Sequence, residues 1–229
     1  MSPTLSLAVA TLAFVGTHLL MSHPLRAGLV ARLGERGFAG LYSLVAFATL
    51  GWLILAWRAG PEGEPLWTAP GWWWPIASAL MLVASILLAG SFVRNPAFPH
   101  PAGRTAEIPP PRGVFAITRH PMNCSFMLWA LVHMSLLGSA RNLIVAGGIF
   151  LLALLGSLGQ DRKKARLIGE PWRQWQARTS FLPFAALLRG RVRWTAAAPG
   201  VTALLGGFVI WTTVTAFHAP AQSPLELFG

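Results

Sequence analysis

Six long apolar runs, divided by polar and proline-rich stretches, set the pattern of this chain. They cover about residues 5–21, 38–57, 72–93, 122–137, 143–158 and 201–217. A helix through the hydrocarbon layer of a bilayer takes about 20 apolar residues. The fourth and fifth runs are short, and the polar turn Gly138-Ser139-Ala140-Arg141-Asn142 between them predicts a tight helical hairpin. The pattern predicts an all-α polytopic membrane helix bundle of about six transmembrane helices. It is read as one domain over residues 1–229.

The segments between the runs differ in kind. Leu25 to Arg36 is short, basic and partly apolar, which suits a piece lying on the membrane surface. Asn95 to Arg119 carries Pro96, Pro99, Pro101, Pro109, Pro110 and Pro111, and reads as an irregular extended loop able to fold back as a cover. Asp161 to Phe184 reads as a helical extension of the fifth run, a break at Gly169, and a second amphipathic piece.

Composition agrees with the pattern. The chain is 54% hydrophobic and 11% charged, against about 25% charged in soluble domains. Its net charge of +11 does not point to nucleic acid, because the basic residues sit in loops. Sixteen of the 18 lysines and arginines fall on the side reached after the first run; Arg58 and Arg141 are the exceptions. The positive-inside rule makes that side cytoplasmic and both termini external. Trp67, Trp72, Trp73 and Trp74 suit an external aromatic belt. No basic residue precedes the first run, unlike a signal peptide, so this run is expected to stay. With Cys124 alone there is no disulfide within the chain and no multi-cysteine metal site. Paired carboxylates, a Ser-His-Asp set and a glycine-rich phosphate loop are not evident. Membrane lipids are the expected surroundings.

The chemistry lies in the histidines. Arg119-His120-Pro121 is a polar corner that opens the fourth helix, where Pro121 suits the first turn. His133 follows about 20 Å along that helix, and an ionisable group at such depth marks a functional site. Its face includes Ala130, Trp129 and Phe126, one small residue and two aromatics, which suits a flat ring system beside the imidazole. The alternative is a histidine bonded to a neighbouring helix as packing glue. His18, on the face of Phe14 and Thr11, is closer in depth to His133 than His23 is. Two neutral histidines from separate helices are the usual protein contribution to a six-coordinate b-type haem. The same pair fits another metal, or no ligand at all. Arg119 and His120 together make an anion site for a carboxylate or phosphate, or else an interfacial anchor. Asp161 is the only aspartate and is expected to pair with a nearby arginine or lysine. His100 and His218 read as surface residues.

These stretches carry a resemblance. Gly16-Thr17-His18, Ser22-His23-Pro24-Leu25-Arg26, Leu33-Gly34-Glu35-Arg36-Gly37-Phe38 and Leu41-Tyr42-Ser43 supply its first half. Thr118-Arg119-His120-Pro121, Leu128-Trp129-Ala130 with His133, Asp161-Arg162, Gly169-Glu170 and Thr179-Ser180-Phe181-Leu182-Pro183-Phe184-Ala185-Ala186 supply the second. In combination they resemble the NnrU family over most of the chain. The resemblance implies a multi-pass protein of the bacterial inner membrane linked to nitrite and nitric oxide respiration or haem redox sensing, with a respiratory nitrogen-oxide reductase as partner. The family is similar to the plant 15-cis-zeta-carotene isomerases, which are haem-b membrane enzymes. By that similarity His133 is the later axial ligand, His18 the earlier with Arg26 following, and His23 its rival. Haem b is then the cofactor, with Trp129 and Ala130 beside it and Arg119 and His120 on a propionate or holding the helix start. The isomerases carry a cysteine three residues before the later histidine; this chain has Ala130.

A weaker resemblance over Gly113 to Phe184 is to the isoprenylcysteine and phospholipid methyltransferases. Their Arg-His-Pro-Met-Tyr becomes Arg-His-Pro-Met-Asn123 here, and Asp161-Arg162-Lys163 stands where a pair of glutamates is expected. The expected functions are therefore four: haem-b binding, haem-dependent cis–trans isomerisation of a polyene such as zeta-carotene, S-adenosylmethionine-dependent methyl transfer, and non-catalytic assembly.

Overall fold

The computed structural model describes residues 1–61, 63–97 and 108–218. Residues 98–107 of the proline-rich stretch, with Pro99, His100, Pro101 and Arg104, lie outside the described residues. Among the described residues the chain is helical, with no strand beyond one isolated bridge. The helices are α1 (Pro3–Ser22), α2 (Arg26–Ala59), α3 (Trp73–Ser91), α4 (Val114–Ile117), α5 (Pro121–Leu136), α6 (Ala140–Leu167), α7 (Glu170–Arg178), α8 (Ala185–Leu188) and α9 (Val201–Ala216), with a 3-10 turn at Trp194–Ala197. Each of the six apolar runs falls on a helix. Four of them, α1, α2, α3 and α6, are long and apolar enough to cross a membrane. Helices α5 and α9 have 16 residues each, about 24 Å of rise.

Local chemistry sets the ends. Ser2 caps α1 by accepting the Leu5 N–H at 3.2 Å, and Pro3 occupies the first turn. Helix α2 breaks its helical geometry at Gly34, with φ of 69°, a conformation that glycine adopts without penalty. The break separates the basic stretch from the apolar run. The predicted break after α6 is present too: Gly169, with φ of 76°, precedes the short helix α7.

The chain forms two compact units. The first comprises Met1–Ala69 and Ala130–Gly159. Leu7 and Ala10 of α1 pack there with Leu53 and Ala56 of α2, with Phe14, Trp57, Ile144 and Val145 around them. A Cβ on Gly148 would collide with Thr11, and one on Gly159 would collide with the His23 ring. Eleven and twelve residues separate these partners on their own helices, so α1 and α6 run parallel and in step. The α5–α6 hairpin is present as predicted. Asn142 closes it by donating to the carbonyls of His133 (2.7 Å) and Leu137 (2.6 Å). Trp67 clamps its tip, with its ring over Gly138 and its Nε1–H on the Met134 carbonyl at 3.0 Å. Arg141 lies over the Trp57 ring at 4.2 Å and donates to the Gly60 carbonyl.

The second unit comprises Pro70–Trp129 and Gln160–Gly229. Helices α3 and α9 pack antiparallel through small residues: Gly90 against Ala203, Gly206 against Ala89, and Gly207 against the Ile86 backbone. Such stripes let helices approach closely where lipid gives no hydrophobic drive. The core of this unit joins Leu87, Val114, Phe115, Cys124, Trp172 and Trp175. Helix α7 is amphipathic as predicted, burying Trp172 and Trp175 on one side. In both units large apolar side chains face outward, Phe47 at 73% exposure and Leu205 at 63% among them, as a lipid-facing surface requires.

Candidate functional site

Two histidine settings emerge, one in each unit. In the first, the end of α1 carries His18 (half-buried). Its Nδ1 lies 2.7 Å from the Phe14 carbonyl oxygen. A carbonyl only accepts, so Nδ1 bears the proton and the Nε2 lone pair is left available. The ring stands between aromatics: Phe14 at 4.2 Å between centroids and Tyr42 of α2, edge-on, at 5.5 Å. Ser22 donates weakly to the Tyr42 hydroxyl at 3.4 Å. Arg26, expected near a cofactor, is bonded to Glu35 at 2.8 Å and lies over the Phe38 ring. His23 caps the end of α1 and lays its ring on Gly159.

His133 is half-buried near the end of α5, and its face divides. Ala130 is fully buried, whereas Phe126 is 40% exposed. The two-aromatic wall expected from the sequence is thus open on the Phe126 side. Trp129 is half-buried. The hairpin and the α1–α6 register set relative depths within this unit. His18 stands nearer to His133 than His23 does, as sequence order implies. About ten residues of rise still separate them, on the order of 15 Å. Side chains lean toward the N-terminus of their own helix, and α1 and α5 run antiparallel, so along the helix axes both histidines lean toward the depth between them.

In the second unit His120 is 3% exposed and fully engaged. Its Nε2 donates to Asp161 Oδ1 at 3.0 Å, and its Nδ1 faces Gln160 Oε1 at 3.1 Å. Arg119 Nε donates to Asp161 Oδ2 at 2.8 Å. The expected pairing of Asp161 with an arginine is therefore present, and the aspartate also fixes the histidine. The Arg119 backbone N–H donates to the Ser180 carbonyl at 2.9 Å, and Thr118 Oγ1 donates to the Phe181 carbonyl at 2.8 Å. The Phe181 ring stands edge-on to His120 at 5.9 Å. Ser180 Oγ in turn accepts the Ala186 N–H. The corner Thr118–Pro121, the Gln160-Asp161 pair and Thr179–Phe184 thus form one knot at the start of α5. Sequence reasoning missed Gln160, Ser180 and Phe181 as members. The signal available was that polar motif stretches far apart in sequence must find partners. A methyl-donor site here would need Arg119 and His120 turned to a ligand; His120 is turned wholly to Asp161 and Gln160.

Beside the knot lies a partly open cavity of about 60 Å³, lined by Arg119, His120, Asn95 and Gln160 among others. Among the described residues no group of three or more His, Cys, Asp or Glu side chains is placed to hold a metal ion. His218 is exposed, as expected.

Two curated proteins share part of this chain. The 15-cis-zeta-carotene isomerase of Arabidopsis thaliana chloroplasts is 34% identical over 79 residues, which is 34% of this chain and 22% of the relative. The chloroplastic 15-cis-zeta-carotene isomerase of Zea mays is 33% identical over 79 residues, with the same shares. The chain thus aligns with about a fifth of these relatives' length. No solved structure matches. The model of the NnrU protein family matches residues 6–223, nearly the whole chain with both histidine settings inside it, and the chain belongs to that family.

Proposed function

We propose that this NnrU family member is a six-span membrane protein with both termini external, and that it binds haem b in its first unit. The observation that carries this is His18: its Nδ1–H is held by the Phe14 carbonyl, which leaves Nε2 as the ligating nitrogen. The aromatic rings of Phe14 and Tyr42 fit a flat macrocycle. His133 of the same unit is the proposed second ligand, with the small Ala130 one turn before it and Trp129 on the next face. His23 is the rival to His18, and its ring packed on Gly159 makes it the poorer one. Haem iron held by imidazoles supplies one-electron transfer, or binding of a small ligand where one side opens. The residues of the chain orient the ring and exclude water. In the family context that chemistry would serve nitrogen-oxide respiration or redox sensing at the inner membrane.

The test is an absorption spectrum of detergent-purified protein after haem reconstitution. A Soret band is expected, lost in both His18→Ala and His133→Ala. Survival of the band in either variant removes that residue as a ligand, and absence of the band in the wild type removes the proposal.

A second reading is haem-dependent isomerisation of a polyene, supported by the names of the two plant relatives. Incubation with 9,15,9′-tri-cis-zeta-carotene under reducing conditions, followed by chromatography of the isomers, separates it from the first. An unchanged isomer profile rejects it.

A further inference from the structure

We propose that the cavity beside Arg119 in the second unit binds an oxyanion of the phosphate type, either free or as a phospholipid headgroup. The proposal does not depend on haem. It rests on the Arg119 guanidinium at the cavity wall. Asp161, the only carboxylate in the knot, has one oxygen on His120 and the other on Arg119, and it is not among the lining residues. The Gln160 side-chain amide faces His120 Nδ1, and Asn95 Oδ1 is taken by the Ala97 N–H at 2.9 Å. Asn95 Nδ2 is held by the Ser91 carbonyl. Among the described lining residues the charge left uncommitted is that of Arg119. Arg119 uses only Nε in the ion pair, so its two terminal nitrogens have no partner among the described residues. Among the described lining residues the wall is therefore cationic at Arg119, with the Asp161 carboxylate bonded behind it. A guanidinium edge offers two parallel N–H groups, which match the oxygens of a phosphate or carboxylate.

Size agrees with this. A volume of about 60 Å³ holds about two waters, or one small oxyanion in their place. Basic pockets at helix ends of membrane proteins take lipid phosphates.

The experiment uses the purified full-length protein in neutral detergent. Thermal unfolding is compared in inorganic phosphate and in chloride at matched ionic strength. Native mass spectrometry then compares retention of phosphatidylglycerol and phosphatidylcholine. A raised midpoint in phosphate identifies the oxyanion itself as sufficient, and selective retention of phosphatidylglycerol alone identifies the lipid headgroup as the source. Gln160→Glu places a negative charge on the wall. It is expected to weaken the apparent affinity at least tenfold. If that variant does not fold, Met122→Glu puts the same charge on another lining position, with the same expectation. Indifference of the wild type to both phosphate and phosphatidylglycerol overturns the proposal. So does a charge-bearing variant that binds as the wild type does.

Discussion

His18 and His120 are both histidines at helix ends, yet they are held in opposite ways. His120 is 3% exposed and has both ring nitrogens engaged, one on a carboxylate that also carries an arginine. His18 is half-buried among aromatic rings and has one nitrogen fixed by a backbone carbonyl. A histidine with both nitrogens engaged inside a knot is a joint that holds elements together. One with a single nitrogen fixed is oriented and still has a lone pair to give. Removing the first should damage the fold, and removing the second should damage only a bound ligand.

The largest effect expected is at Asp161. Asp161→Ala leaves Arg119 and His120 facing each other without the charge that pairs them. Removing one partner from a buried pair costs about 3–5 kcal/mol. Its side chain is 10% exposed, so solvent relieves little of this. The variant should lose monodispersity in detergent and unfold at a much lower temperature, whereas His18→Ala should stay within about 1 kcal/mol of the wild type. Equal losses in the two would erase the distinction between joint and ligand.

Next comes the tolerance of the two helix pairings for an added methyl. A Cβ on Gly207 meets the Ile86 backbone, which cannot rotate away. Overpacking of that kind costs about 1–3 kcal/mol. A Cβ on Gly159 meets the His23 ring, which can turn on its own χ angles. Gly207→Ala should therefore lower the thermal midpoint clearly more than Gly159→Ala. The reverse order would mean that His23 is fixed more firmly than the α3–α9 contact.

The elements of this comparison were legible in the sequence to different depths. The six apolar runs, the α5–α6 hairpin and the break at Gly169 follow from local periodicity and turn chemistry, and all are present. Asp161 stood out because a lone aspartate beside a membrane run needs a cation. Its particular partners did not stand out. Arg119 lies 42 residues away and Ser180 lies 61 residues from Arg119, and no period links them. The openness of the His133 face at Phe126 was hidden for another reason. Helical spacing says which residues share a face, and only packing says whether that face points inward or to lipid.

A smaller effect is expected at Asn142, whose amide holds the carbonyls of His133 and Leu137. Asn142→Ala leaves two carbonyls at the end of α5 without that donor, a loss of about 1–2 kcal/mol. If the spectrum of a haem-loaded sample shifts as well, the cap also positions His133. A change in stability alone would confine Asn142 to closing the hairpin.

The smallest effect concerns Arg26, which belongs to the ligand side of the comparison only if its charge is turned to a bound group. Here it is 2.8 Å from Glu35, with side-chain exposures of 25% and 67%. Exposed pairs of this kind contribute about 0–1 kcal/mol and weaken as salt screens them. Arg26→Ala, Glu35→Gln and the double variant should therefore all unfold within a few degrees of one another. Whatever gap exists between them at low salt should close at high salt. A haem spectrum unchanged across all three would leave Arg26 to Glu35, and a loss confined to Arg26→Ala that salt did not remove would return the arginine to the cofactor.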